Sequence, residues 1–385
     1  MGKLVGVVGK PNAGKSTFFN ANTLGNAETG SYPFTTIKPN RGVGYIREDC
    51  PCTELVDSCG KCKKGTRFIP VELFDVAGLV PDAHKGRGLG NQFLNDLAQA
   101  DAFIHVVDAS GSTDAEGQIC EAGSHNPEED VTFLEKELDL WFLSLIEKGW
   151  GKITREAAHS KKEVHKELAD KFSGIKVKEG EILAAARKAE LDLEKAKDWP
   201  EEDLKKFATA LREVSMPILI CANKIDLETA KLLENSVPTS ADSELALRKA
   251  DESEIIEYKP GDSDFKILEA SDEHMKVLEI IKRDVLEKYG STGVQQCLEK
   301  VVSETLNLIP VYPVEDESKL TDKKGNVLPD VHLVPAGTTA KDFAYLIHTD
   351  IGDAFLCGID ARTKKKVGAN YELKANDVIK IVVKK

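Results

Sequence analysis

No stretch of this 385-residue chain approaches the ~20 consecutive apolar residues that span a bilayer, so no membrane contact is expected. It lacks any excess of positive charge, since 52 Lys/Arg against 65 Asp/Glu leave a net charge of −13. A protein that coats nucleic acid broadly would be basic, so any RNA contact must be local. No secretion signal is expected either. The apolar start, Leu4-Val5-Gly6-Val7-Val8, is short and runs straight into a glycine-rich motif, which reads as a buried first strand. The myristoylation pattern needs Ser or Thr at position 6, where Gly6 stands. Eight cysteines without a secretion signal are expected to be reduced thiols of a cytoplasmic protein. No internal repeat is present. What remains is ordinary globular composition, 41% hydrophobic and 30% charged, at a length that suggests two or three domains.

Residues 3–9, 42–47, 70–75, 102–108 and 216–222 are short apolar runs separated by helical patterns. That alternation predicts an α/β fold, a parallel sheet with helices on both faces. Between 126 and 214 the pattern changes. Asn126-Pro127 is a helix start, and Val131, Leu134, Leu138, Trp141 and Leu145 recur at three and four residues as one apolar stripe. Residues 154–197 are rich in Lys, Glu and Ala; Trp199-Pro200 breaks the run before a last helix with Leu204, Phe207 and Leu211. This predicts an inserted α-helical, coiled-coil-like domain, a hairpin or small bundle projecting from the sheet. Its charges fit either a solvated surface or a partner-binding arm. Residues 274–308 read as mostly helical. Beyond them, 309–314, 332–334, 354–358 and 378–383 read as strands, with one helix at 339–347, a small α+β domain. The expected organisation is a sheet domain at 1–125 and 215–290, the insert at 126–214, a helical linker at 291–304 and a C-terminal domain at 305–385.

Gly9-Lys10-Pro11-Asn12-Ala13-Gly14-Lys15-Ser16 fits G-x-x-x-x-G-K-S, follows a strand, and opens a helix through Thr17. The glycines let backbone N–H groups close around phosphates, and the helix N-terminus favours the anion. Lys15 is expected to reach the β- and γ-phosphates, and the Ser16 hydroxyl to bind Mg²⁺. Asp75-Val76-Ala77-Gly78 ends a strand, so Asp75 is expected to hold Mg²⁺ and the Gly78 N–H to sense the γ-phosphate. Asn223-Lys224-Ile225-Asp226 follows another strand. A carboxylate at Asp226 can accept two hydrogen bonds from guanine N1 and N2, a pairing adenine does not offer. Downstream, a backbone N–H at Ser240-Ala241 can meet guanine O6. Tyr32-Pro33-Phe34-Thr35-Thr36 lies where a threonine would close over Mg²⁺ and the γ-phosphate, and Thr36 is the preferred candidate.

In this order the motifs resemble those of translation-factor-class P-loop GTPases. Gly9–Thr17, Tyr32–Pro39, Asp75–Val80 and Gly86–Phe93 are most similar to the Obg-related YchF subfamily, its archaeal members above all. The C-terminal part, from Pro310-Val311-Tyr312 through His348-Thr349-Asp350 to Val378–Val382, resembles a TGS domain, a ubiquitin-like β-grasp module. Many bacterial and eukaryotic members lack the intact guanine motif and prefer ATP; here Asn223, Lys224 and Asp226 are all present. The resemblance implies a hydrophobic residue, Leu79, where other GTPases place a water-orienting glutamine. Asn12 is then one catalytic candidate, because in related GTPases it binds K⁺. His84 and His125 are others, and an ordinary exposed loop role stays open for both. Slow intrinsic turnover accelerated by a partner is expected.

Cys50-Pro51-Cys52 and Cys59-Gly60-Lys61-Cys62 lie outside the shared motifs. Four thiolates this close could make a tetrahedral zinc site; reduced thiols and disulfides are the other readings. Residues 305–385 carry 12 Lys/Arg against 11 Asp/Glu, a net of +1, which leaves −14 on the rest. The run Arg362-Thr363-Lys364-Lys365-Lys366 fits an RNA contact or a solvated hairpin turn. The resemblance to TGS favours the ribosome or RNA. The leading expectation is a monomeric regulatory GTPase that binds GTP and GDP. An ATPase of the same fold and a nucleotide-gated binder with negligible catalysis are the alternatives.

Overall fold

The computed structural model describes residues 3–23, 41–56, 58–76, 97–160 and 163–384. They form two compact units. Of the described residues, the first takes 3–23, 41–44, 72–76, 97–160 and 163–297; the second takes 45–56, 58–71 and 298–384.

The first unit is built on a mainly parallel sheet. Strand β1 (Leu4–Val8) is buried at every position, as its unbroken apolar run requires when both faces are covered. It pairs in parallel with β4 (Thr66–Asp75) and β5 (Ala102–Asp108). β5 pairs with β6 (Ile218–Asn223), and β6 with β7 (Ser236–Thr239). With β2 (Arg41–Asp49) at the far edge the order is β2-β4-β1-β5-β6-β7, and the two-residue β3 (Cys62–Lys63) is a hairpin partner of β4; the 45–71 parts of β2, β3 and β4 group with the second unit. The register sets Val7 opposite Asp75 and Asp108 opposite Asn223. The carboxyl ends of β1, β4, β5 and β6 therefore open onto one edge, where an α/β sheet binds its ligands.

The insert begins with α-helix 127–147, capped by the Asn126 side chain accepting from the Glu128 N–H, with Pro127 in the first turn. Helices follow at Trp150–Ser160, Val164–Phe172, Glu179–Lys188 and Glu201–Ser215. Of the expected stripe, Leu134, Leu138 and Trp141 are buried, and Phe142 and Ile146 join them. Trp150 stacks on Trp199 at 5.4 Å. The insert is thus a packed bundle. Its core is continuous with that of the sheet through Val8, Phe103, Leu134 and Leu138, so it does not project as a free arm.

A separate two-stranded ribbon pairs β8 (Ile256–Glu257) with β9 (Lys266–Ile267). The second unit holds a five-stranded mixed sheet. β10 (Leu308–Val314) and β14 (Asp377–Val383) are its parallel central pair. β11 (His332–Pro335), β12 (Phe355–Asp360) and β13 (Lys366–Val367) complete it in antiparallel pairings. Helix Ala340–Ile347, with a Thr339/Asp342 capping box, buries Ala340 and Phe343 in a core with Val311 and Ile379. Sequence reading puts residues 1–125 in one unit, whereas Tyr45–Val71 groups with the C-terminal sheet. The reason is packing: Cys50, Cys52 and Cys59 share a buried cluster with Tyr312, Val314 and Leu328. No described helix is long and apolar enough to cross a membrane.

Candidate nucleotide-binding site

The loop Gly9–Ser16 joins β1 to the first helix, Lys15–Thr23. Gly9 has φ +144°, and a Cβ there would lie 2.3 Å from the Val106 carbonyl oxygen. Gly14 has φ +98°, and a Cβ would lie 2.2 Å from Asn223 Nδ2. Both positions need glycine for backbone conformation and for close approach. Lys15 is buried, and its ammonium donates to the Lys10 carbonyl at 2.8 Å across the loop's mouth. Burial lowers its pKa below the usual lysine range, with nearby Asp75 acting in the opposite sense. The Ser16 hydroxyl donates to Asp75 Oδ2 at 3.2 Å. Burial pushes the Asp75 carboxyl up, against the Ser16 hydrogen bond and Lys15. A hydroxyl beside a carboxylate that burial penalises is a hard-oxygen pair suited to Mg²⁺.

On the base side, Asn223 braces three segments. Its Nδ2 donates to the Ala13 carbonyl at 2.9 Å, and its Oδ1 accepts from the Ala241 N–H at 3.0 Å. Asp226 is exposed at the end of this segment, where Oδ1 accepts from the Ser240 hydroxyl at 2.7 Å. Ser240 also caps helix Ala241–Glu252. Lys224 sits in the left-handed region at φ 66° and donates to Asp108 Oδ2 at 2.9 Å and Ser112 at 3.1 Å. Asp108 is fully buried and also accepts from the Ser110, Ser112 and Thr113 hydroxyls. Burial alone would raise its pKa, but the hydrogen bonds from Ser110, Lys224 and Thr113 outweigh it and hold the carboxylate below its usual range.

Sequence reasoning missed the loop at 109–125, which ties the site together. Lys10, buried at 5% exposure, donates to the Thr113 carbonyl at 2.8 Å and pairs with Asp130 at 2.8 Å. Asn12, at φ 58°, donates from Nδ2 to the Gly117 carbonyl at 2.9 Å. His125 Nε2 lies 2.8 Å from Asp130 Oδ1. A chain Lys10–Asp130–His125 thus runs from the phosphate loop to the first turn of the insert. The available signal was the dense Ser/Thr/Asp/Gly composition of 108–126, which favours side chain to backbone hydrogen bonds. His105, on β5 close to Gly9, was missed as well. It is 2% exposed, and burial followed by repulsion from Lys15 and Lys10 lowers its pKa to about 3.

Thr36, Gly78, Leu79, His84 and the segment Gly86–Phe93 lie outside the described residues. The four clustered cysteines are free thiols brought into mutual contact in the second unit. The basic run forms the turn between β12 and β13. Its Arg362 is engaged internally, to Glu54 at 3.2 Å and the Asn376 carbonyl at 2.7 Å, while Lys364, Lys365 and Lys366 are exposed.

Three family profiles match this chain. Residues 4–136 match a 50S ribosome-binding GTPase, 221–316 an Obg-like GTPase, YGR210-like, G4 motif-containing domain, and 320–383 a TGS domain. A GTP-binding protein of Methanocaldococcus jannaschii is 50% identical, with 98% of each chain covered. A GTP-binding protein of Schizosaccharomyces pombe is 36% identical over 98% of this chain and 95% of its own. The ribosome-binding ATPase YchF of Bacillus subtilis is 35% identical over 60% of this chain and 58% of its own. The crystal structure of a GTP-binding protein from Pyrococcus horikoshii superposes with a TM-score of 0.79 at 40% identity, with all of both chains covered.

Proposed function

The chain belongs to the YchF-like family of Obg-type GTPases, with a G domain and a C-terminal TGS domain, and on that premise we propose that it hydrolyses GTP to GDP as a regulatory switch read by the ribosome. The observation that carries the base preference is Asp226. Its Oδ1 takes one hydrogen bond from Ser240, and the exposed carboxylate keeps acceptor capacity for the two guanine donors. The B. subtilis relative is called an ATPase. Adenine at this carboxylate would leave charge-assisted hydrogen bonds unmade, which disfavours ATP here.

In this reading the backbone N–H groups of Gly9–Thr17 cradle the phosphates, and Lys15 faces the β- and γ-phosphates. Its place against the Lys10 carbonyl leaves an ammonium that a phosphate would take over. Ser16, Asp75 and Thr36 would hold Mg²⁺, which when bound neutralises charge developing on the phosphates. With Leu79 at the glutamine position, Asn12 supplies what is missing. Its Nδ2 is fixed to Gly117, so Oδ1 is the atom left to ligate a potassium ion. His125, whose Nε2 lies 2.8 Å from Asp130 Oδ1, is the second candidate. The proposed domains are the G domain at 1–125 and 215–290, less the Tyr45–Val71 segment that groups with the C-terminal sheet, the insert at 126–214, the linker at 291–304 and TGS at 305–385, in a cytoplasmic monomer.

The ribosomal part rests on the ribosome-binding names of relatives and on the TGS match, with Lys364–Lys366 as a local basic patch. Co-sedimentation with ribosomes in GTP and GDP separates the outcomes. Binding in one nucleotide state and release in the other is expected; identical partition in both would contradict the switch.

A further inference from the structure

The connection between β2 and β4 has little apolar material of its own, yet it is held in the buried core of the second unit. Cys50 and Cys52 are 1% and 2% exposed and Cys59 8%. With Cys62 their sulfurs all lie within 4.8 Å of one another, Cys50 to Cys59 at 3.7 Å and Cys52 to Cys62 at 3.5 Å. A tetrahedron of thiolates around one Zn²⁺, with Zn–S near 2.3 Å, has edges of about 3.8 Å. We infer that Cys50, Cys52, Cys59 and Cys62 bind one structural zinc ion that fastens the β2–β4 connection to the C-terminal β-grasp unit.

Three further observations support this. The Cys59-Gly60-Lys61-Cys62 turn places Gly60 at φ 65°, and the Lys61 N–H donates to Cys59 Sγ at 3.4 Å. That backbone donor stabilises a charged sulfur better than a neutral thiol. Two buried donors in the same region also lack hydrogen-bond partners among the described residues, the Tyr312 hydroxyl and Arg67 Nη1. Tyr312 belongs to the cysteine cluster, and the Arg67 guanidinium lies 5.9 Å over its ring. Orphaned buried donors are rare, and a buried cation calls for nearby negative charge. A zinc tetrathiolate, net −2, would supply that charge. Finally, four all-sulfur ligands select a soft or borderline ion, and sulfurs already in contact leave room for one ion rather than a multi-iron cluster.

Zinc here is a staple, not a catalyst. All four positions are taken by sulfur, which leaves no open coordination site for a substrate. The inference is independent of which nucleotide the first unit binds.

The test is elemental analysis of the full chain, made with zinc in the medium and purified without chelator, followed by cobalt substitution. One zinc per chain is expected, and Co²⁺ in its place should give the intense visible bands of a tetrahedral thiolate site. Cys52→Ser with Cys62→Ser should lose the metal, while Cys120→Ser, outside the cluster, should keep it. Should the double variant fail to fold, the wild-type stoichiometry and cobalt spectrum decide alone. Differential alkylation should find the four sulfurs protected until the metal is stripped. Zinc well below one equivalent after reduction and reconstitution would overturn the inference. So would stoichiometric iron, octahedral cobalt spectra, or disulfides among these four cysteines.

Discussion

At the scale of single residues, the site is a set of side chains whose protonation the fold has fixed. His105 is the plainest case. It lies buried beside two lysines with a pKa of about 3, against 6.5 in the unfolded chain. The folded state therefore binds fewer protons than the unfolded state between these values. Stability contributed by neutral His105 is complete above the unfolded value and declines as pH falls through the window, by about 1.4 kcal/mol per pH unit. Denaturant unfolding from pH 7 to pH 4 should show His105→Gln with a flatter profile than the parent by one proton. Parallel profiles would contradict the assignment. Residue identity in the motifs was legible from sequence, because glycine, lysine and aspartate at fixed spacing have few other uses. The protein partners of those residues were not. Asn223 bonds to Ala13 and Ala241, and Lys224 to Asp108, contacts that only the assembled sheet brings together.

At the scale of elements, the strands were the most legible part. β1 and β5 are unbroken apolar runs, and the observed Ala102–Asp108 coincides with the run read from sequence. The insert's helices were legible from periodicity, but their number and packing were not, since a charged Lys/Glu/Ala run has no unique break points. What the sequence hid most was the attachment of the insert to the phosphate loop. The buried pair Lys10–Asp130 makes that attachment, with side-chain exposures of 4% and 8%. Removing one partner strands a buried charge, so Asp130→Asn should destabilise the first unit by about 3–5 kcal/mol. Lys10→Met with Asp130→Leu should recover much of that loss. Urea unfolding of Lys10→Met, Asp130→Leu and the double variant checks this, and simple addition of the two single losses would contradict a direct pair.

At the scale of the whole molecule, the division into units departs from the order of the chain. Tyr45–Val71 is bracketed by parts of the nucleotide-binding sheet yet shares its core with residues beyond 298. Sequence proximity suggested the opposite grouping, because a loop between two strands of one sheet is ordinarily taken as part of that sheet. Nothing in the sequence pointed otherwise, because the packing partners of the cysteines in this segment lie some 250 residues or more away in the chain. Four of the five strands of the C-terminal β-grasp sheet were legible; the short β13 (Lys366–Val367) was not, because it starts in the basic run read as a turn. The match to a TGS domain over residues 320–383 agrees with the reading of the sheet.

The central claim is that the first unit is built for guanine. The most direct measurement is equilibrium binding of GTP and ATP to the full chain in the same Mg²⁺ buffer. Two charge-assisted hydrogen bonds to Asp226 that adenine cannot make should favour GTP by about 3 kcal/mol or more, on the order of 100-fold in Kd. Equal affinities, or tighter binding of ATP, would contradict the account.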